Sequence, residues 1–182
     1  MNKKHALVCG SSKGIGASTA IELSKLGATI TLLARDEESL ANVLNRLDTS
    51  KNQNHNFIIA DFDDPLKLKD KIDQHVINNP TIHILINNSG GPTPGPIVDA
   101  NVEDFVSAFN RHLICNHILV QAVVPKMKEA RFGRIINITS TSVKQPIKGL
   151  GISNTIRGAV ANWAKTLSFE LGEFGITVNN IL

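Results

Sequence analysis

The glycines at positions 10, 14 and 16 restrict this chain more than any other feature, because of what flanks them. His5 to Cys9 is a short, mostly apolar run that reads as a buried strand. An amphipathic pattern (Ala17, Ala20, Ile21, Leu23, Leu26) starts directly after Gly16. In a strand, glycine turn and helix, unpaired backbone N–H groups and the positive end of the helix are aimed at an anion, usually a pyrophosphate. The first glycine allows the tight turn, the second lets backbone approach the phosphates, and the third lets the helix pack on the strand. A Gly-rich turn without a ligand is the plain alternative. The position at the very start of a βαβ unit favours nucleotide binding.

Further along, apolar runs alternate with helical patterns. Gly27 is a helix stop, and Ala28 to Leu33 reads as a second buried strand that ends at Ala34 and Arg35. Asp36, Glu37 and Glu38 open a helix whose first turn suits negative charge. Asp48 to Asn56 reads as a loop, and Phe57 to Ala60 as a third strand closing on Asp61. Asp64-Pro65 starts another helix, with proline at a tolerated first-turn position. Ile82 to Ile86 is a fourth strand that runs into Asn87-Asn88-Ser89-Gly90-Gly91 and a Pro/Gly-rich loop through Pro96. The spacing then predicts one long helix from about Val102 to Ala130, a fifth strand over Arg134–Ile138, a helix over Ile152–Leu171 and a sixth strand over Ile176–Leu182. Strands that are apolar throughout and alternate with helices imply an α/β fold: a doubly wound parallel sheet of six strands with helices on both faces. No linker, repeat or low-complexity tract divides residues 1–182, so one domain is expected.

Composition narrows the function classes. The formal net charge is +3, and the densest basic group (Lys126, Lys128, Arg131, Arg134) has no interleaved aromatics, so it reads as a solvated helix end and not a nucleic-acid face. Nothing approaches a membrane span or a signal peptide. Cys9 and Cys115 form no disulfide framework and have no metal-ligand spacing, which suits reduced cysteines in a cytoplasmic protein without a metal. The Asn137-Ile138-Thr139 sequon falls inside a strand expected to be buried, so it reads as chance.

These residues resemble the short-chain dehydrogenase/reductase family, in register over the whole chain. The family's Thr-Gly-x-x-x-Gly-x-Gly is similar to Cys9-Gly10-Ser11-Ser12-Lys13-Gly14-Ile15-Gly16, and its Asn-Asn-Ala-Gly to Asn87-Asn88-Ser89-Gly90. The resemblance implies a Rossmann fold that holds a nicotinamide dinucleotide at Gly10, Ser12, Lys13, Gly14, Ile15, Gly16, Asn88 and Gly90. Asp61 matches the acidic residue that contacts the adenine, and Ser140 in Ile-Ile-Asn-Ile-Thr-Ser aligns with the catalytic serine. An NAD enzyme of this type carries a carboxylate at the end of the second strand, where it bonds the ribose 2′-OH and repels a 2′-phosphate. Here Ala34 occupies that place, followed by Arg35, and Lys13 sits in the glycine loop. Two cations and no acid suit a phosphate, so NADP(H) is expected over NAD(H). Arg35 and Lys13 as ordinary surface charges are the alternative.

The family's active site pairs the serine with Tyr-x-x-x-Lys, and this chain has no tyrosine. Ser153 stands at the tyrosine position and Arg157 at the lysine position, one helical turn apart. An aliphatic hydroxyl is a far poorer acid than a phenol of pKa about 10, and guanidinium, with a pKa above about 12, barely exchanges protons. The family's catalytic asparagine falls at His112, which titrates near neutrality in its ordinary state and is the candidate replacement donor; a hydrogen-bonded helix residue is the plain alternative. Asn110 is expected to project elsewhere, and Lys144 and Lys148 to be solvated loop residues. The expectation is therefore an NADP(H)-dependent oxidoreductase acting on a small carbonyl or alcohol, similar to 3-oxoacyl reductases, with an altered active site. Arg157 would also grip the nicotinamide ribose. The other readings are a nucleotide-binding regulatory module without turnover, and a structural partner subunit. The resemblance implies a homodimer or homotetramer through the two long helices, with Ile156, Val160, Trp163 and Leu167 either on that interface or facing the core. It also implies a domain truncated after the sixth strand, before the family's Pro-Gly turn and substrate lid.

Overall fold

Alternate residues of the first strand dictate the layering. In β1 (His5–Cys9) every residue is buried; Ala6 and Val8 face one side of the sheet, Leu7 and Cys9 the other. The computed structural model describes residues 1–78 and 81–182. Its other strands are β2 (Thr29–Ala34), β3 (Asn56–Ile59), β4 (Ile84–Asn87), β5 (Gly133–Ile138) and β6 (Ile176–Ile181). All pair in parallel, in the order β3-β2-β1-β4-β5-β6. On one face, α1 (Gly14–Lys25) and α2 (Glu37–Leu44) cover Ala6, Val8, Ile30 and Leu32. On the other, α3 (Pro65–Asn78), α5 (Cys115–Glu129) and α6 (Gly151–Leu171) cover Leu7, Leu33, Leu85 and Ile135. A strand buried on both faces has no polar side to present, which is why these runs are apolar throughout.

Local signals place the helix ends. Gly27, at φ +92°, closes α1: its N–H donates to Ser24 O at 2.8 Å and that of Ala28 to Leu23 O at 3.1 Å, the paired bonds of a left-handed glycine stop. Asp36 caps α2 by accepting the Ser39 N–H at 2.6 Å, with Glu37 and Glu38 in the first turn.

The expected long helix and several strand bounds need correction; β3, expected over Phe57–Ala60, runs over Asn56–Ile59. The single helix over 102–130 is α4 (Val102–Phe109), a π-helical turn over Asn110–Ile114, and α5. The wide turn leaves the apolar spacing on either side helical, so periodicity alone does not betray it. β2 and β4 are shifted towards their carboxyl ends, so Ala34 and Asn87 lie within strands. Asn87 can end a buried strand because its amide is engaged sideways: Asn87 Nδ2 donates to Asn137 Oδ1 at 2.8 Å, and Asn137 Nδ2 to Asn180 Oδ1 at 3.1 Å. The sequon asparagine is thus buried and bonded across the sheet. Of the apolar stripe on α6, Ile156 and Val160 are buried, and Trp163 and Leu167 pack against this chain's own core. Among the described residues, no helix is long and apolar enough to cross a membrane.

Candidate functional site

Strand order reverses between β1 and β4, so the loops leaving their carboxyl ends diverge and open a crevice. The glycine loop fills it for steric reasons. A Cβ on Gly16 would lie 2.3 Å from the Gly10 carbonyl oxygen, and one on Gly10 would lie 2.6 Å from the Asn88 carbonyl oxygen. Neither position tolerates a side chain. Gly14 differs: its φ of +57° favours glycine, and the space beside it is open. The loop is tied down on two sides. Asn88 Nδ2 donates to the carbonyls of Cys9 and Gly10 at 3.2 and 3.3 Å, and Ser11 Oγ accepts the Leu33 N–H at 2.9 Å. Lys13, the N-cap of α1, makes no side-chain cap, and the first turn carries no acid. An uncapped, acid-free helix start beside an open glycine fits a phosphate.

The cleft above this loop has a volume of about 430 Å³. It gathers Gly10, Ser12, Lys13, Ile15, Arg35, Asp61, Asn88 and Gly90, eight of the residues expected to bind a dinucleotide. Gly16 is buried below it, and Gly14 is exposed at the start of α1. At the end of β2, Ala34 is the last strand residue and Arg35 is largely exposed, 3.9 Å from Asp61. The nearest following acid, Asp36, is committed to capping α2. Arg111, which no sequence pattern singles out, also lines the cleft, paired with Asp63 through Nε (2.9 Å) and a second guanidinium nitrogen. The π turn carries it there, and that turn has no sequence signature.

Ser140, Ser153, Arg157 and His112 are not part of this cleft's lining. Ser140, at the carboxyl end of β5, accepts the Ser142 N–H at 3.1 Å and so caps a short 3₁₀ turn over Thr141–Val143. Arg157 donates to the Ile138 carbonyl at 2.9 Å, which seats α6 against the end of β5. Burial lowers its pKa from the ordinary guanidinium value. Ser153 is half-buried one turn earlier on α6. His112 is 1% exposed; its Nδ1 meets Ser89 Oγ at 2.8 Å, and its Nε2 has no partner among the described residues. Burial, and then the charges of Arg157 and Arg111, push its pKa down from 6.5 to about 3. The expected titration near neutrality is therefore corrected: His112 is a neutral imidazole at pH 7. Asn110 lines a separate outer groove beside α4, and Lys144 and Lys148 are exposed. Asn154 pins their loop by two bonds to the backbone of Ile147.

A parallel sheet in this strand order, with a glycine loop at its switch point, defines a Rossmann-fold protein. A family model described as short chain dehydrogenase matches residues 4–182, and the chain belongs to the short-chain dehydrogenase/reductase family of oxidoreductases. It is 32% identical over 187 residues to an NADPH-dependent aldehyde reductase-like protein of Arabidopsis thaliana, covering 96% of this chain and 69% of that one. It is 26% identical to the NADPH-dependent reductase BacG of Bacillus subtilis, covering 98% of this chain and 70% of the relative. Among solved structures, L-sorbose reductase from Gluconobacter frateurii, complexed with NADPH and L-sorbose, superposes with a TM-score of 0.92 at 27% identity. That match covers 99% of this chain and 68% of the other.

Proposed function

We propose that this chain is an NADP(H)-dependent oxidoreductase that interconverts a small carbonyl and its alcohol, of the 3-oxoacyl reductase type. The observation that carries the reading is the cleft itself. It offers Arg35 at the end of β2 and Lys13 in the glycine loop; the acid that follows Arg35, Asp36, is held as a helix cap, and Asp61 stands 3.9 Å from Arg35. The NADPH named in the descriptions of two relatives and of the L-sorbose reductase structure supports the same choice.

The bound nucleotide would supply the hydride; this chain's residues must hold the substrate oxygen and deal with its proton. Ser140 Oγ already accepts a backbone N–H, so its own hydrogen is left to donate to a substrate oxygen. Arg157 spends one nitrogen on the Ile138 carbonyl and keeps donors for ribose hydroxyls. His112, neutral and hydrogen-bonded to Ser89, has a buried Nε2 without a partner among the described residues, so it would pass a proton only if a water or the substrate reached that nitrogen. Ser153 can orient a water but is no match for a phenol as an acid. Losing a matched acid costs roughly 10²–10⁴-fold in rate, while hydride transfer by proximity survives that loss. Slow, carbonyl-dependent NADPH oxidation is the expected activity. Ser140→Ala and Arg157→Ala should each reduce it at least about tenfold, measured by absorbance under saturating nucleotide. Unchanged rates in both variants would remove these roles.

The second reading, a nucleotide-binding module without turnover, draws on the absent tyrosine and the neutral state of His112. It predicts NADPH binding with no turnover on any carbonyl. Self-association through α5 and α6 belongs to the same proposal. Phe169, 91% exposed near the end of α6, is the apolar residue there that the chain's own core does not use.

A further inference from the structure

We propose that Arg111, clamped by Asp63, forms the wall that receives the purine base of the nucleotide, and so acts as a determinant of which nucleotide the cleft accepts. The inference rests on the nucleotide reading of the cleft. Arg111 lies outside the glycine loop, the Asn-Asn-Ser-Gly stretch and the Ser-x-x-x-Arg pair.

The cleft's three cations are not equivalent. Lys13 makes no ion pair with an acid among the described residues, and Arg35 stands 3.9 Å from Asp61 with its side chain 72% exposed. Both are available to a phosphate. Arg111 is instead neutralised by a two-pronged bond to Asp63, and its side chain is only 28% exposed. A guanidinium whose charge is already matched gains little from an anion. Its rigid plane still offers a face to an uncharged aromatic ring. Arg111 and Asp63 lie on the cleft wall with Phe62, Asn88, Ser89 and Gly90, the side formed by the ends of β3 and β4.

Position makes the pair a partition as well. Arg111 and Asp63 are the two residues that line both the cleft and the outer groove of about 470 Å³ formed with Val102, Glu103, Val106, Ser107 and Asn110. Arg111 reaches this partition because the π turn sets it on the rim while the next residue, His112, is buried. Removing the guanidinium would merge the two spaces and leave the base without a back wall. Asp63 is a positioning residue: it acts by holding Arg111.

The test is a set of equilibrium titrations with NADPH, adenosine 2′,5′-bisphosphate and reduced nicotinamide mononucleotide. Arg111→Ala should weaken NADPH and the bisphosphate roughly tenfold or more, in the range of base stacking on a side chain, and leave the mononucleotide unchanged. Arg111→Lys keeps the charge but not the plane, and should lose most of the same affinity. Asp63→Asn should weaken both adenine ligands several-fold in the parent chain and have no further effect in the Arg111→Ala background. Discrimination against the bulkier 1,N6-etheno-NADP⁺ should relax in Arg111→Ala, which a purely structural role would not produce. Parent-level binding of the bisphosphate by Arg111→Ala, or equal loss of all three ligands together with a lowered melting temperature, would overturn the assignment. If the parent chain binds neither NADPH nor the bisphosphate, the nucleotide reading fails first and this inference falls with it.

Discussion

The glycine-loop cleft and the side-chain group around Ser140 were built under different constraints. At the end proposed to take the nucleotide, backbone does the work: glycines fit where a Cβ would lie 2.3–2.6 Å from a carbonyl oxygen, and Asn88 and Ser11 fix the loop through main-chain bonds. At the proposed reaction end, side chains do the work, and there the family resemblance sets Ser153, Arg157 and His112 where the family carries tyrosine, lysine and asparagine. A backbone cradle admits few substitutions because each clashes with structure. A side-chain constellation can be rewritten while the helix and strand beneath it stay in place. Arg157 still seats α6 on β5 through the Ile138 carbonyl even though it replaces a lysine.

The largest way to break this contrast is at Gly16. Gly16→Val should abolish nucleotide binding and lower stability by about 3 kcal/mol or more, since overpacking against a backbone carbonyl has nowhere to relax. Ser153→Ala, at the other end, should change NADPH affinity less than twofold. Paired melting curves and titrations of the two variants would check both. If Ser153→Ala proved the more damaging, the contrast would be wrong.

Arg157→Met probes the reaction end. It leaves the Ile138 carbonyl unpaired, at a cost of about 1–3 kcal/mol by denaturant unfolding. It also removes one of the two charges that depress His112, whose pKa should rise from about 3 when followed by NMR.

Acid stability should follow from the same histidine. Its folded pKa lies below the ordinary 6.5, so between pH 6.5 and about 3 the unfolded chain binds a proton that the folded one does not. Stability is therefore full above pH 6.5 and falls as pH drops, by up to roughly 1.4 kcal/mol per pH unit from this group. His75 and His83, also lowered by burial, act in the same direction. His112→Asn should flatten the profile, and an unchanged slope would contradict the buried neutral state.

How much of this could be read from the sequence depended on which physical rule set each residue. The strands and the glycine loop were legible because two-sided burial leaves apolar runs and steric exclusion leaves glycines. The Gly27 stop and the acidic start of α2 were legible for equally local reasons. The π turn was not, because helical spacing resumes on both sides of Asn110–Ile114, and with it went any warning of Arg111. The protonation state of His112 depends on its burial beside Arg157, which no local pattern encodes. The cross-sheet amides of Asn87, Asn137 and Asn180 needed the strand register, so one of them looked like a stray glycosylation signal.

The smallest expected effects concern the exposed cations. Lys13→Ala and Arg35→Ala should each reduce the preference for NADPH over NADH roughly three- to tenfold, since each gives up one charge-assisted contact to a solvated phosphate. The parent chain comes first. Titrating it with NADPH and NADH, followed by nucleotide fluorescence, tests the central claim that the nucleotide end is intact and phosphate-selective. Saturable binding with NADPH clearly tighter than NADH is the predicted result; binding of neither, or tighter binding of NADH, would contradict it.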